Sequence, residues 1–306
     1  MSSATTSIPA ATLPADTAPA EQNRGILVFC LFALYVIWGS TYLAIHWALR
    51  GGFPPFLMAG VRFTIAGVIL YAVLRLRGYA RPSLRQWGAG ALMGFLLLLM
   101  GNGSVVFAQQ WVPSGLAALV VGSVPLWTAL FGGIFGQWPG RAERWGLAIG
   151  FCGLILLNLG SDMSGNLWAT FALLVGPVSW AFGSIWSRRL PLAGGLMSTA
   201  TQMLTGGVMF FLVSACMGEH LTTLPPPRAL LSVGYLIVFG SLVAFSAYGY
   251  LLRNARPAVA TSYAYVNPMV AVLLGTFLAG ESLSVWGFMA MGAILGSVVL
   301  ITRSKR

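Results

Sequence analysis

Ser114-Gly115-Leu116-Ala117-Ala118-Leu119-Val120-Val121-Gly122-Ser123-Val124-Pro125 can be written over Pro257-Ala258-Val259-Ala260-Thr261-Ser262-Tyr263-Ala264-Tyr265-Val266-Asn267-Pro268, and an apolar stretch follows each proline. Upstream, Trp38 before Gly39-Ser40 has a partner in Trp180 before Ala181-Phe182-Gly183-Ser184. Downstream, Trp145-Gly146 has a partner in Trp286-Gly287. The chain reads as one hydrophobic unit used twice.

Composition sets the solvent. Apolar residues are 58% of the 306 and charged residues 8%, with a mean hydropathy of +0.83. A soluble domain carries about a quarter charged residues, so a water-soluble fold is excluded. Ten apolar runs follow one another, near 26–48, 53–74, 86–108, 113–135, 143–161, 167–187, 195–217, 229–251, 257–279 and 283–302. Each approaches the roughly 20 residues that cross a bilayer core as a helix. Lipid satisfies no backbone polar group, so each run is expected to be helical. The alternation of a membrane β-barrel is absent.

The net charge of +11 is explained by topology. One set of span ends holds Arg24; Arg75, Arg77, Arg81 and Arg85; Arg141 and Arg144; Arg188 and Arg189; Arg253 and Arg256; and Arg303, Lys305 and Arg306. Those are fourteen of the 17 basic residues; Arg50 and Arg228 lie on the other side and Arg62 within a span. The positive-inside rule places the crowded side, and both termini, in the cytoplasm. The basic residues stand singly between apolar runs, which leaves a nucleic-acid partner without support. With five spans per unit, the second copy is inverted in the bilayer. The expected fold is therefore an all-α polytopic membrane protein, ten transmembrane helices in two inverted five-helix repeats, the arrangement of alternating-access transporters. The domain reading is a disordered Ala/Thr/Pro/Ser-rich cytoplasmic tail over 1–23, a first repeat over 24–161 and a second over 162–306.

The chain resembles the ten-helix, EamA-type branch of the drug/metabolite transporter superfamily, and within it the bacterial inner-membrane amino-acid and metabolite exporters. The residues carrying the likeness are Trp38-Gly39-Ser40-Thr41-Tyr42, Pro54-Pro55 with Ala59-Gly60-Val61-Arg62-Phe63, Pro125, Ser179-Trp180-Ala181-Phe182-Gly183-Ser184, Ala260 to Pro268, and Gly280-Glu281. It covers residues 25 to 302. One departure is visible: where the second half has Gly280-Glu281, the first has Gln137-Trp138-Pro139. The resemblance implies an inner-membrane exporter of amino acids or related small metabolites. The alternatives are a drug or toxic-compound exporter on the same fold, and, from a different class, a channel or a non-transporting scaffold. The implied partners are a small-molecule solute and the bilayer; the oligomeric state stays open.

Candidate site residues follow. Trp38, Tyr42, Trp180, Tyr248, Tyr263 and Tyr265 lie within spans, where their N–H and O–H groups need partners. Ser40, Thr41, Asn102, Ser184 and Asn267 supply uncharged polar atoms in the same spans. Together they suit a cavity for neutral or zwitterionic solutes, or else glue between helices. Pro125 and Pro268 are candidate hinges, since an internal proline removes a helical hydrogen bond. Arg62 sits about two turns into span 2, where a charge costs on the order of 2.5–3.5 kcal/mol unless compensated. It either anchors a substrate carboxylate or is a structural arginine bonded to carbonyls or to a span-end acid; the family likeness favours the structural reading.

The acids Asp16, Glu21, Glu143, Asp162, Glu219 and Glu281 all fall in the tail or at span ends. With no acid inside a span, transport is expected to be facilitated or only weakly proton-dependent. Three cysteines and two histidines without ligand spacing imply no disulfide framework, metal or cofactor. No catalytic set is present, so no enzyme is expected.

Overall fold

The computed structural model describes residues 24–111, 117, 120–157, 167–279 and 285–303. The expectations for the tail over 1–23, for Asp162, for Gly280-Glu281 and for five residues of the first duplicated stretch (114–116, 118 and 119) lie outside these residues. Every regular element among the described residues is helical. In chain order they are α1 (Arg24–Arg50), α2 (Pro55–Leu76), α3 (Leu84–Ala108), α4 (Val124–Ile134), α5 (Arg141–Leu157) and α6 (Leu167–Trp186). Then come α7 (Leu196–Cys216), α8 (Pro227–Asn254), α9 (Pro257–Ala260), α10 (Tyr263–Ala279) and α11 (Val285–Arg303). Five of them, α1, α2, α3, α7 and α8, are long and apolar enough to cross a membrane.

Local chemistry sets the ends. Proline opens α2, α8 and α9, where its missing N–H would have had no helical acceptor. Ser83 and Gln86 cap α3 reciprocally, each side chain bonding the other's backbone N–H. α2 and α7 both run out into a glycine of positive φ, Gly78 at 83° and Gly218 at 67°, a turn that a side chain would strain.

Two long helices are not regular α-helix throughout. α3 widens to π-helix over Gly94–Asn102 and α8 over Leu236–Val243. Two expected spans are interrupted. A turn at Gly122-Ser123 precedes α4, and a turn at Thr261-Ser262 separates α9 from α10. In each break a serine hydroxyl takes up a carbonyl three residues back, Ser123 to Val120 at 2.6 Å and Ser262 to Val259 at 2.8 Å. Backbone freed in a bilayer needs such partners. Pro125 therefore lies in the first turn of α4, where proline costs no hydrogen bond, while Pro268 lies inside α10.

The contacts run in matched sets. α1 packs on α8 and α10, and α6 packs on α3 and α4. α2 packs on α8, and α7 on α3; α2 also lies along α7, and α5 along α11. The stretch from Ala258 to Pro268 is buried at every residue, so α9 and the start of α10 run through the middle of the bundle.

Candidate functional site

Trp38, Thr41, Tyr42 and Ile45 recur at the i, i+3, i+4, i+7 positions of one face of α1, and that face lines a central cavity. Opposite it stand Arg62 of α2, Gly101, Asn102 and Val105 of α3, and Gly176, Pro177 and Trp180 of α6. Phe245 of α8, Tyr263 and Asn267 of α10, and Val121 and Val124 close the ring. The cavity holds about 580 Å³ of empty space, including the part continuous with solvent.

The π segment of α8 organises the cationic side. Arg62 is 1% exposed. Its Nε donates to Ser241 Oγ at 2.8 Å and its Nη2 to the Gly240 carbonyl at 3.0 Å. Trp38 Nε1 donates to the same carbonyl at 3.2 Å. A widened turn frees carbonyls from the i−4 ladder, and here one freed oxygen receives two side chains. Among the described residues, Arg62 Nη1 has no hydrogen-bond partner. Asn102 Oδ1 and Asn267 Oδ1 are also buried and have no partner among the described residues. Three orphaned polar atoms, one donor on a cation and two acceptors, thus belong to residues lining one cavity.

The described acids are engaged elsewhere. Glu143 meets Arg256 at 2.6 Å and accepts from the Gly140 amide at 3.0 Å. Glu219 accepts from the Phe56 and Leu57 amides at 3.2 and 2.7 Å, where the α2 dipole favours a negative charge. Arg62 is held by a carbonyl and a hydroxyl, with no carboxylate among the described residues.

An aromatic cluster forms the floor. Trp38, Trp180, Phe245, Tyr248 and Tyr263 have ring centroids 4.7 to 5.9 Å apart, mostly edge to face. Trp180 Nε1 donates to Tyr248 Oη at 2.9 Å, and Ser184 Oγ lies 2.6 Å from the same oxygen. Below the cluster is a second cavity lined by Arg188, Ser198, Thr199, Gln202, Tyr248 and Arg253. Phe245 borders both.

Of the candidates from sequence, Trp38, Thr41, Tyr42, Asn102, Trp180, Tyr263 and Asn267 line the central cavity, with Arg62. Four do not line it. Ser40 bonds the Ile37 carbonyl and Tyr235 Oη. Ser184 and Tyr248 sit behind Trp180. Tyr265 donates to the Leu147 carbonyl of α5 at 3.1 Å. Reasoning from sequence missed Gly240, Ser241, Phe245 and Pro177. Pro177, inside α6, carries the same kink signal as the other two prolines. A Cβ at Gly101 would come within 2.6 Å of the Trp180 ring, so this glycine seats that indole.

The sequence model of the EamA-like transporter family matches this chain twice, over residues 24–159 and 167–303. The chain belongs to that family. The inner membrane transporter YedA of Escherichia coli (strain K12) is 51% identical over 276 residues, 90% of each protein. Transporter YvbV of Bacillus subtilis (strain 168) is 24% identical over 94% of both. A protein of Streptantibioticus cattleyicolor named "Probable terminal-alkyne amino-acid exporter" is 24% identical over 258 residues. A crystal structure 23% identical in sequence superposes with a TM-score of 0.73, covering 90% of this chain and 97% of its own, a likeness of fold. This family member is a multi-pass membrane transporter of the inner membrane and not an enzyme.

Proposed function

We propose that the protein exports α-amino acids or related zwitterionic metabolites by alternating access, through ten spans in two inverted repeats, 24–161 and 162–306, with both termini cytoplasmic. The observation carrying the substrate class is the set of orphaned polar atoms in the central cavity. An unpaired buried cation and unpaired buried amide oxygens each cost free energy until a ligand meets them. Arg62 Nη1 fits a carboxylate, and Asn102 Oδ1 and Asn267 Oδ1 fit an ammonium. The indoles and Tyr42, Phe245 and Tyr263 fit an apolar side chain. Arg62 is then structural through two of its nitrogens and ligand-binding through the third.

The matched helix contacts and the two family matches support the repeat reading. The broken helices before Pro125 and Pro268 support a binding site between the repeats, where transporters place discontinuous helices. The aromatic cluster separates the central cavity from the vestibule lined by Arg188 and Arg253, as a closed inner gate would.

The test is competition in proteoliposomes loaded with labelled phenylalanine. Phenylalanine should compete fully, while phenylalaninamide and 3-phenylpropionate, each lacking one charge, should compete weakly. Equal competition by the amide would remove the carboxylate role of Arg62. Strong competition by lipophilic cations would favour drug efflux, flux without saturation a channel, and no flux of any solute a scaffold.

A further inference from the structure

Five arginines from separate parts of the chain meet at one groove that adjoins the second cavity and shares Arg188 and Arg253 with it: Arg24 of α1, Arg188 after α6, Arg253 at the end of α8, Arg256 before α9 and Arg303 of α11. Among the described residues only Arg256 has a carboxylate partner, Glu143. Arg188 Nη2 donates to the Ala255 carbonyl. Gathering like charges this way is unfavourable unless an anion shares the site.

The groove has a second character. Its wall along α1 is Arg24, Leu27, Val28, Leu31, Phe32 and Tyr35. These follow i, i+3, i+4, i+7, i+8 and i+11, a single helical face. At 1.5 Å per residue the stripe runs about 16 Å from the cationic end. Val28 is 55% and Phe32 63% exposed while Leu31 is buried at 7%, so the described residues leave the Val28–Phe32 edge of the stripe uncovered. The stripe ends where Tyr35 Oη meets Ser262 Oγ at 2.8 Å, at the break between α9 and α10.

We propose that this groove binds an anionic phospholipid, its phosphate among Arg24, Arg253 and Arg303 and an acyl chain along the α1 stripe. A free anion would satisfy the arginines and leave the stripe bare. A zwitterionic lipid would bring its own cation against the arginines. Only a negatively charged headgroup with a long apolar tail matches both halves, and basic pockets on the cytoplasmic side of membrane helices are suited to such headgroups. The bound tail would press on the Tyr35–Ser262 contact and so bear on the helix break beside the solute site.

Native mass spectrometry of the full chain, released from detergent with added lipid, tests this. Phosphatidylglycerol should give a saturable one-lipid adduct that phosphatidylcholine of the same chains does not, and glycerol 3-phosphate and inorganic phosphate should not displace it. Arg24→Gln/Arg253→Gln/Arg303→Gln should weaken the adduct by on the order of a hundredfold, since each of the three basic side chains contributes on the order of fivefold. Arg77→Gln/Arg81→Gln/Arg85→Gln, which removes as many charges from the same side, should retain it. Equal adducts with phosphatidylcholine, or equal loss in both triple variants, would overturn the proposal. Displacement by phosphate alone would make this a plain anion site. A lipid-free dimer would assign the groove to a second copy, and an adduct seen only after removal of residues 1–23 would assign it to the tail.

Discussion

Trp38 and Trp180, which hold matching places in the two halves of the chain, meet edge to face with ring centroids 5.6 Å apart and planes at 82°. Each also reaches across to α8, Trp38 Nε1 to the Gly240 carbonyl and Trp180 Nε1 to Tyr248 Oη. Both are at most 8% exposed, and both line the central cavity. The pair therefore does two things at once. It joins the two halves at their centre, and it walls the place where a solute would sit.

Replacing Trp180 separates these two roles. Trp180→Phe keeps an aromatic wall and loses one hydrogen bond, leaving Tyr248 held by Ser184. We expect a stability loss of about 1 kcal/mol with the substrate profile retained. Trp180→Ala opens the wall, and apparent affinity should fall more for aromatic than for small amino acids. Thermal unfolding in detergent and counterflow measure the two effects. Equal losses for every solute would make the indole a packing element alone.

Arg62→Lys tests the divided arginine. A lysine ammonium keeps the charge but not the planar fork that bonds Ser241 and Gly240 and leaves Nη1 over. A hydrogen bond to a charged group contributes about 1.5–3 kcal/mol, so the apparent KM for amino acids should rise roughly 10- to 100-fold. The folded fraction by size exclusion should change far less. An unchanged KM in a well-folded variant would limit Arg62 to its structural bonds.

Much of this was legible because it is local. Long uncharged runs and the side-to-side count of arginines report a membrane helix without any tertiary knowledge. Trp38 and Trp180 were found because the chain repeats them. The rest depended on neighbours. A π segment leaves no period in the sequence, and Gly240 matters only because Trp38 and Arg62 arrive from α1 and α2. α10 is buried on every side from Tyr263 to Pro268, so no apolar stripe says which residues face the cavity. Asn267 and Tyr265 are two positions apart, yet the first lines the cavity and the second bonds Leu147 on the far side.

Gly240→Ala should disturb the cationic side by pressing on Arg62 from behind, with no cavity-lining side chain replaced. A Cβ there would lie 3.0 Å from Arg62 Nη2 and 3.1 Å from Thr41 Cγ2. Overfilling of this kind costs about 1–3 kcal/mol. Gly234→Ala, on the same helix with nothing within 4 Å, is the control and should be neutral or slightly stabilising. Differential scanning fluorimetry reads both. Equal midpoints would mean that α8 shifts to accommodate the methyl group and that the shared carbonyl is not fixed.

Orientation is open to a labelling test. In a background lacking Cys30, Cys152 and Cys216, a cysteine in place of Arg81 should resist an impermeant thiol reagent in intact cells, and one in place of Arg228 should react. The reverse pattern would place both termini outside and turn the proposed exporter's vestibule to the wrong compartment.

The acids lead to the last expectation. Glu143 is tied to Arg256, and Glu219 sits on the first amides of α2, so both described carboxylates serve span ends. Neither lines the central cavity. A proton carrier needs a titrating group that meets each side of the membrane in turn, which is why intramembrane acids mark proton-coupled transporters. Glu219→Gln should cost stability, about 0.3–1 kcal/mol from the helix dipole alone, and leave the pH profile of transport in place. Proteoliposomes with an imposed pH gradient and no solute gradient should accumulate little substrate. Large uphill accumulation driven by protons alone would refute weak coupling and turn attention to His46, which is exposed on α1 one helical turn before Arg50.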